Sequence, residues 1–226
     1  MAEQYNRISI QVGLSGYSFR LEDGQQVSQS GWMAPESVFT VKELQRRYTD
    51  VDVAVFTPYC TLVPQNFHRA QAAREELMDV ARIPEDAVVE SVEVPEFGAT
   101  LVYSTSIGGT LHKVLAESVL KVDGNKARPM PEIYYMLRDV LKISEYNRIL
   151  ASYMDGVLYL VVAQGKTLLL CNTFKAPDFT TAQYFIFMVL KKFQLNPEMS
   201  SITFRTPLNE EQEISLYRYF KSVETL

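Results

Sequence analysis

Two residues of this sequence could form a nucleophile and its general base, Cys60 and His68. A thiol activated by a neighbouring imidazole is a common arrangement in enzymes that form covalent intermediates. The segment between them crosses Pro64 and a predicted helix start, so the spacing does not imply that the two side chains touch. We therefore predict that Cys60 is a buried thiol and that His68 lies at the beginning of a helix.

The carboxylates form no pattern that is typical of a catalytic or metal site. Asp50 and Asp52 alternate at the start of a predicted strand, and Glu75-Glu76 lie on a predicted helix. Both pairs are typical of solvated charges. His112 has no metal-ligand residue four positions further along its predicted helix, so we expect this imidazole to face solvent.

The composition argues against several classes of function. A net charge of -5 and a pI near 5.2 provide no basic surface for nucleic acid, and Arg46-Arg47 is too short a basic run to form one. No apolar stretch reaches the ~18 residues of a membrane helix, and the polar N-terminus has no secretory pattern. Cys60 and Cys171 are isolated, as in proteins of reducing compartments. We expect a cytoplasmic protein with no nucleic-acid partner and no membrane insertion.

A three-strand meander is predicted twice in the chain. An offset of 141 residues relates the two copies and places Gly24 on Gly165 and Thr40 on Thr181, where a helix is expected to begin each time. A duplicated meander followed by a helix predicts two lobes, 1–147 and 148–226. The predicted strands are 7–13, 17–22 and 26–32 in the first copy, and 148–154, 157–163 and 167–174 in the second.

Periodicity divides the remaining sequence between helices and short strands. Thr40 and Glu43 form the capping-box pattern of one helix. The segment 181–194 is apolar nearly all round, which indicates a buried helix. This mixed order predicts an α/β fold with mixed sheets. Helices are predicted at 41–48, 66–81, 181–194 and 210–223, and further strands at 51–58, 88–94, 100–104 and 201–205.

Three segments resemble those of a bacterial family described as a domain of unknown function. They are a strand ending in Asn172-Thr173-Phe174, the start of an apolar helix at Asp178-Phe179, and the closing run Leu216-Tyr217-Arg218-Tyr219-Phe220. The resemblance spans the whole chain and implies an actin-like ATPase fold. That fold has two ribonuclease-H-like lobes, of which the second is the shorter one here. Active relatives hold ATP and Mg²⁺ between two phosphate-binding hairpins.

The resemblance also implies where nucleotide chemistry would take place. In active relatives each hairpin carries Asp-x-Gly, whose carboxylate supports Mg²⁺ and whose turn amides approach phosphate. Here Gln11 and Ser152 occupy the carboxylate positions. The first hairpin keeps Gly13, but Leu14 stands where active relatives have a hydroxyl residue, and Ser15 follows it. The second hairpin has only Asp155-Gly156, which is typical of an ordinary hairpin turn. We interpret the six residues other than Leu14 as a vestigial phosphate site and expect no cofactor and no metal.

Three functions are compatible with the sequence. The leading hypothesis is a non-catalytic binding or scaffold protein with a protein partner. The alternatives are a weak ATP-binding protein or slow ATPase that acts between its lobes, and a small-molecule sensor. The replaced carboxylates favour the first, because phosphoryl transfer depends on positioning and on neutralising the charge of the phosphates.

Overall fold

The computed structural model describes residues 6–24 and 26–226. It divides the chain into two compact units, each of which is assembled from separate segments. Unit 1 contains Met1–Thr57, Asp86–Val88 and Ser104–Glu132, and unit 2 contains Pro58–Glu85, Val89–Tyr103 and Ile133–Leu226. The predicted lobes, 1–147 and 148–226, follow the repeat in the sequence, and this division stays a prediction.

The described residues alternate between strands and short helices in an order that suits mixed sheets. In chain order, the strands are β1 (Arg7–Val12), β2 (Tyr17–Glu22), β3 (Val27–Gln29), β4 (Asp50–Val55), β5 (Cys60–Pro64), β6 (Glu90–Val94), β7 (Ala99–Tyr103), β8 (Pro129–Pro131), β9 (Asn147–Met154), β10 (Val157–Gln164), β11 (Thr167–Lys175), β12 (Ser201–Phe204) and β13 (Ser222–Thr225). The α-helices are α1 (Ala73–Met78), α2 (Leu111–Ser118), α3 (Glu132–Asp139), α4 (Phe179–Lys192) and α5 (Glu210–Tyr217).

Unit 1 is built on a five-stranded sheet in the order β3-β2-β1-β4-β8. The central strand β1 is antiparallel to β2 and parallel to β4. Successive side chains of a strand point to opposite faces, so Ile8, Ile10 and Val12 share one face, where they pack in a core with Leu115 of α2. Gln11 therefore lies on the other face of β1.

Unit 2 contains a second sheet with the same connectivity, β11-β10-β9-β12-β13. Strand β9 is antiparallel to β10 and parallel to β12, as β1 is to β2 and β4. The three strands of each meander keep the offset of 141 residues, since Arg7 to Val12 maps onto 148–153 within β9. The prediction of an α/β fold with mixed sheets is confirmed.

Unit 2 also contains a three-stranded antiparallel sheet in the order β5-β7-β6. The helix α1 packs against it through Leu77, which contacts a small core that includes Val102 and Val63. Two of these strands match the predictions at 88–94 and 100–104. The third strand, β5, was not predicted, since it follows β4 after only four residues and begins at Cys60.

Several predicted helices differ from the observed ones. The segment 41–48 contains only the 3₁₀ turn Lys42–Gln45. The Thr40 hydroxyl does not cap this turn, because it donates to the Ser37 carbonyl (2.9 Å). Of the predicted helix at 66–81, only α1 (Ala73–Met78) is observed as an α-helix. Asp178 caps α4 by accepting from the Thr181 amide (2.7 Å), so this helix begins before residue 181.

The C-terminal prediction was wrong beyond residue 217. The capping box of Asn209 and Gln212 starts α5 as expected, but the helix ends at Tyr217. The chain then forms β13, which pairs in parallel with β12 and completes the five-stranded sheet. Long-range pairing overrides the apolar spacing of this segment, which by itself favours a continued helix.

Two predictions about exposure were also wrong. His112 is buried, with 2% of its surface exposed, because it lies on the same face of α2 as Leu115 and Ala116. Helix α4 is buried on one side only, since Tyr184 is 63% exposed and Met188 is 40% exposed. Within residues 6–24 and 26–226, no helix has the length and apolarity required to cross a membrane.

Candidate functional site

The carboxyl ends of three parallel strands bring polar residues together in unit 1. Strand β4 lies between β1 and β8 and is parallel to both. Gln11 lies near the end of β1, Thr57 follows β4, and Glu132 follows β8 directly. In open α/β sheets, the carboxyl ends of parallel strands are the usual place for ligands. This edge is therefore the first candidate site.

Gln11 and Glu132 form the centre of this edge. The Gln11 Nε2 atom donates to Glu132 Oε1 at 3.1 Å, and both side chains are buried. Each side chain gives the other a partner, and an unpaired polar group would be costly to bury here. Glu132 is also the first residue of α3, where the helix dipole favours a negative charge. The amide of Gln11 is thus held by a carboxylate from another element.

Neighbouring polar groups at this edge also have partners within unit 1. The buried Thr57 hydroxyl donates to the Ser104 carbonyl (2.7 Å), and the Ser104 hydroxyl accepts from the Ser106 amide (3.2 Å). These bonds connect β4 to the segment that leads into α2. They satisfy groups that would otherwise be costly to bury.

The turn between β1 and β2 packs closely against the segment that follows β3. Gly16 has a φ of +152°, and a Cβ built there would lie 2.0 Å from the Met33 carbonyl oxygen. The Trp32 Nε1 atom donates to Ser15 Oγ (3.2 Å), and the Trp32 ring contacts Phe56 at 6.2 Å between centroids. Gly13 closes the turn by donating to the Gly16 carbonyl (2.9 Å).

The equivalent hairpin in unit 2 has a different character. Ser152 is fully buried in β9, where it pairs with Tyr159 of β10. Asp155 and Gly156 connect the two strands with φ angles of 50° and 72°, and positive values at both positions are those of a type I′ turn. The Gly156 carbonyl accepts from the Ala176 amide (2.8 Å). The turn is therefore also hydrogen-bonded to the residue that follows β11.

A charged cluster lies after β12 in unit 2, and no sequence pattern predicted it. Arg205 Nε contacts Asp139 Oδ2 at 3.0 Å, and Lys142 Nζ contacts Asp139 Oδ1 at 2.6 Å. The guanidinium of Arg205 also lies over the Tyr135 ring (5.7 Å). The Thr206 hydroxyl accepts from the Tyr153 amide (3.0 Å), which ties this segment to β9. The cluster stabilises the carboxyl ends of β9 and β12.

Glu132 is a second site residue that was not predicted. The predicted site lay only in the two hairpins, where Gln11 and Ser152 replace the carboxylates of active relatives, and Glu132 lies 121 residues from Gln11. It follows Pro129–Pro131, a strand too short for periodicity to identify. The one local signal was an acidic residue directly after Pro131, since proline and an acidic residue are both typical of the first turn of a helix.

The thiol–imidazole pair of Cys60 and His68 is not formed. His68 Nδ1 contacts Glu76 Oε2 at 2.8 Å, and Arg69 donates its amide to the same carboxylate (3.0 Å). Burial raises the pKa of the Cys60 thiol to about 12, and burial likewise raises the pKa of Cys171. Neither thiol is therefore activated as a nucleophile, because the thiolate is the reactive form.

The polar groups of the two hairpins offer hydrogen-bonding atoms and no metal centre. No group of three His, Cys, Asp or Glu side chains in the described part of the chain has an arrangement that could hold a metal ion. Gln11 and Ser15 belong to the hairpin of unit 1, and Ser152, Asp155 and Gly156 belong to that of unit 2. The chain therefore carries two separate sets of polar groups, one in each unit.

Comparison with known proteins identifies the family. The sequence profile of the family described as "Protein of unknown function (DUF3822)" matches residues 2–223. The chain belongs to this family. No curated protein matches the chain.

A solved structure that matches the whole chain identifies the fold. It is a Bacteroides thetaiotaomicron protein with an actin-like ATPase fold and unknown function, with a TM-score of 0.67 and 14% sequence identity. The match covers 100% of this chain and 91% of that chain. The predicted actin-like ATPase fold is therefore confirmed.

Two further structures show weaker similarity. The PilM-PilN type IV pilus biogenesis complex matches with a TM-score of 0.49 and 12% identity, covering 99% of this chain and 89% of that chain. The ethanolamine utilization protein EutJ from Carboxydothermus hydrogenoformans matches with a TM-score of 0.44 and 11% identity, covering 100% of this chain and 85% of that chain.

Proposed function

We propose that this chain is a non-catalytic binding or scaffold protein of the bacterial cytoplasm, on an actin-like ATPase fold whose phosphate hairpins are vestigial. The observation that carries the proposal is the hydrogen bond from Gln11 Nε2 to Glu132 Oε1 (3.1 Å). Gln11 occupies the position where active relatives carry a carboxylate. One N–H of its amide is bonded to Glu132, and a neutral amide provides no negative charge to hold Mg²⁺.

The turn of the first hairpin supports the same function. Phosphate binding at a turn requires backbone amides and hydroxyls that point at the ligand. Here the Gly13 amide donates to the Gly16 carbonyl, and the Ser15 hydroxyl accepts from the Trp32 indole. In unit 2, the corresponding Ser152 is buried between strands. The Gly13 amide is therefore bonded within the first turn, and Ser152 is enclosed in its sheet.

Two other parts of the proposal depend on different observations. A protein partner is supported by large exposed apolar side chains outside α4 and α5, Phe39 and Phe67 among them. A cytoplasmic location is supported by Cys60 and Cys171, which are free thiols, as is usual in a reducing compartment.

One observation favours the alternative of weak nucleotide binding. Glu132 provides a carboxylate at the same strand edge as Gln11, although the hairpins themselves carry none at the expected positions. A carboxylate that holds an Mg²⁺ ion directly or through water could replace the missing aspartate. This candidate requires Glu132 to give up the amide of Gln11.

Thermal unfolding with and without millimolar ATP and Mg²⁺ distinguishes the two functions. We expect no change in the melting temperature. A ligand present at 100 times its Kd stabilises the folded state by ~2.7 kcal/mol, so a saturable shift of several degrees would refute the proposal. Ser15→Ala removes a hydroxyl from the hairpin, and Ser28→Ala removes an exposed hydroxyl from β3 as a control. A shift that only Ser15→Ala diminishes would place the nucleotide at this hairpin.

A further inference from the structure

Helices α4 and α5 lie side by side in unit 2 and run in the same direction. The Gln183 Nε2 atom donates to Ser215 Oγ (2.8 Å), and the Phe187 ring contacts Tyr219 edge to face (4.9 Å between centroids). The second contact lies four residues after the first one in both segments, from Gln183 to Phe187 and from Ser215 to Tyr219, which is about one helical turn. The N-terminal ends of the two helices are therefore neighbours, and so are their C-terminal ends.

The centre of their solvent face is apolar. Tyr184 (63% exposed) and Met188 (40%) lie one turn apart on α4, and Ile214 (51%) lies in the middle of α5. The opposite sides of both helices contribute Ile186 and Leu216 to the core of unit 2. Large exposed apolar side chains on neighbouring helices are typical of an interaction surface.

Charged residues of opposite sign stand at the two ends of this face. Glu210 and Glu211 lie at the N-terminal end, and Lys191 and Arg218 lie at the C-terminal end. Glu211, Ile214 and Arg218 follow one stripe of the second helix at spacings of three and four. With Glu210 and Ser215 they line a shallow groove of about 350 Å³. The face is thus acidic, apolar and basic in succession along the helices.

We propose that this α4–α5 face binds the same face of a second copy of the chain around a twofold axis perpendicular to the helices. When the twofold axis lies in the interface and perpendicular to the helices, each patch meets itself and each helix runs opposite to its copy. The acidic end of each copy then meets the basic end of the other, and the two apolar centres meet each other. Glu211 of each copy lies opposite Arg218 of the second copy.

The charge order selects this arrangement over a parallel one. If the two copies aligned in the same direction, Glu210 and Glu211 would face the same residues of the second copy, and Lys191 and Arg218 would do likewise. Like charges placed across an interface oppose association, and complementary charges fix the register. The pairing does not depend on whether the chain binds a nucleotide.

Charge reversal tests the twofold geometry directly. Glu211→Arg alone and Arg218→Glu alone each create two like-charge contacts, one in each half of the interface. The double variant Glu211→Arg/Arg218→Glu restores two opposite-charge contacts. By sedimentation equilibrium, we expect the wild-type chain to dimerise, each single variant to dimerise at least about tenfold more weakly, and the double variant to return to within about threefold of wild type.

Two further variants complete the experiment. Ile214→Glu places a charge in the apolar centre, and we expect it to abolish the dimer. Glu96→Arg makes the same change of net charge as Glu211→Arg at an exposed residue between β6 and β7, and we expect it to leave the dimer unchanged. Circular dichroism checks that each variant is folded, since all four positions are at the surface.

Three results would overturn the proposal. The first is a monomeric wild-type chain at concentrations up to the millimolar range. The second is a dimer that Ile214→Glu does not disrupt. The third is a double charge-reversal variant that is as weak as the single variants, since the two charges would then not face each other.

Discussion

Replacing Gly16 by alanine tests the packing of the first hairpin. A Cβ at this position would lie 2.0 Å from the Met33 carbonyl oxygen and 3.0 Å from Trp32 Nε1. The oxygen belongs to the backbone, and it accepts from the Tyr17 amide (3.0 Å), while Met33 donates back to the Tyr17 carbonyl (2.8 Å). The added methyl group must therefore separate these two segments.

The expected loss of stability combines two effects. Disrupting the pair of hydrogen bonds costs about 1 kcal/mol for each bond. Residues other than glycine rarely adopt a φ of +152°, and such backbone strain costs roughly 1–3 kcal/mol. We expect Gly16→Ala to lower the free energy of unfolding by about 3–5 kcal/mol.

Gly31→Ala is the matched control, because no atom lies within 4 Å of the position that its added methyl group would take. We expect this change to alter the free energy of unfolding by less than about 1 kcal/mol. Urea unfolding measures both variants, and Trp32 is the single tryptophan of the chain, so its fluorescence reports on this turn. A Gly16→Ala variant as stable as Gly31→Ala would refute the packing described for the hairpin.

Three other predictions concern groups whose protonation depends on their surroundings. Burial, together with Lys113, lowers the pKa of His112, so stability should fall as pH drops below ~6.5, and His112→Leu should weaken this dependence in urea titrations. Gln11→Glu places a second carboxyl group beside Glu132, and the nearby carboxyl raises the pKa of the new side chain in the folded state. The variant should therefore lose stability relative to wild type as pH rises above ~4, and equal pH profiles of the two proteins would contradict this. Cys60 and Cys171 should react with a thiol reagent at pH 7 far more slowly in the native chain than in denaturant, because burial disfavours both thiolates.

The meanders could be predicted from sequence because their signals are local. Alternating apolar residues and turns such as Asp155-Gly156 determine strands that pair with their immediate neighbours in the chain. The same reasoning located β12 and α4, although α4 is buried on one side only. The offset of 141 residues places β1, β2 and β3 within β9, β10 and β11.

The predictions that failed concern contacts between distant segments. The strands β8 and β13 are short and pair with β4 and β12, which lie well before them in sequence, so no local period identifies them. Thr40 has the pattern of a helix cap, but the chain around it forms 3₁₀ turns. Glu132 became a site residue only when β8 placed it beside Gln11.

A calorimetric titration of ATP with Mg²⁺ into the purified chain tests the central claim most directly. With Gln11 bonded to Glu132 and Ser15 bonded to Trp32, we predict only the heat of dilution at millimolar nucleotide. A saturable heat of binding with one site per chain, diminished by Ser15→Ala and unchanged by Ser28→Ala, would contradict the claim that this chain has lost the ability to bind a nucleotide.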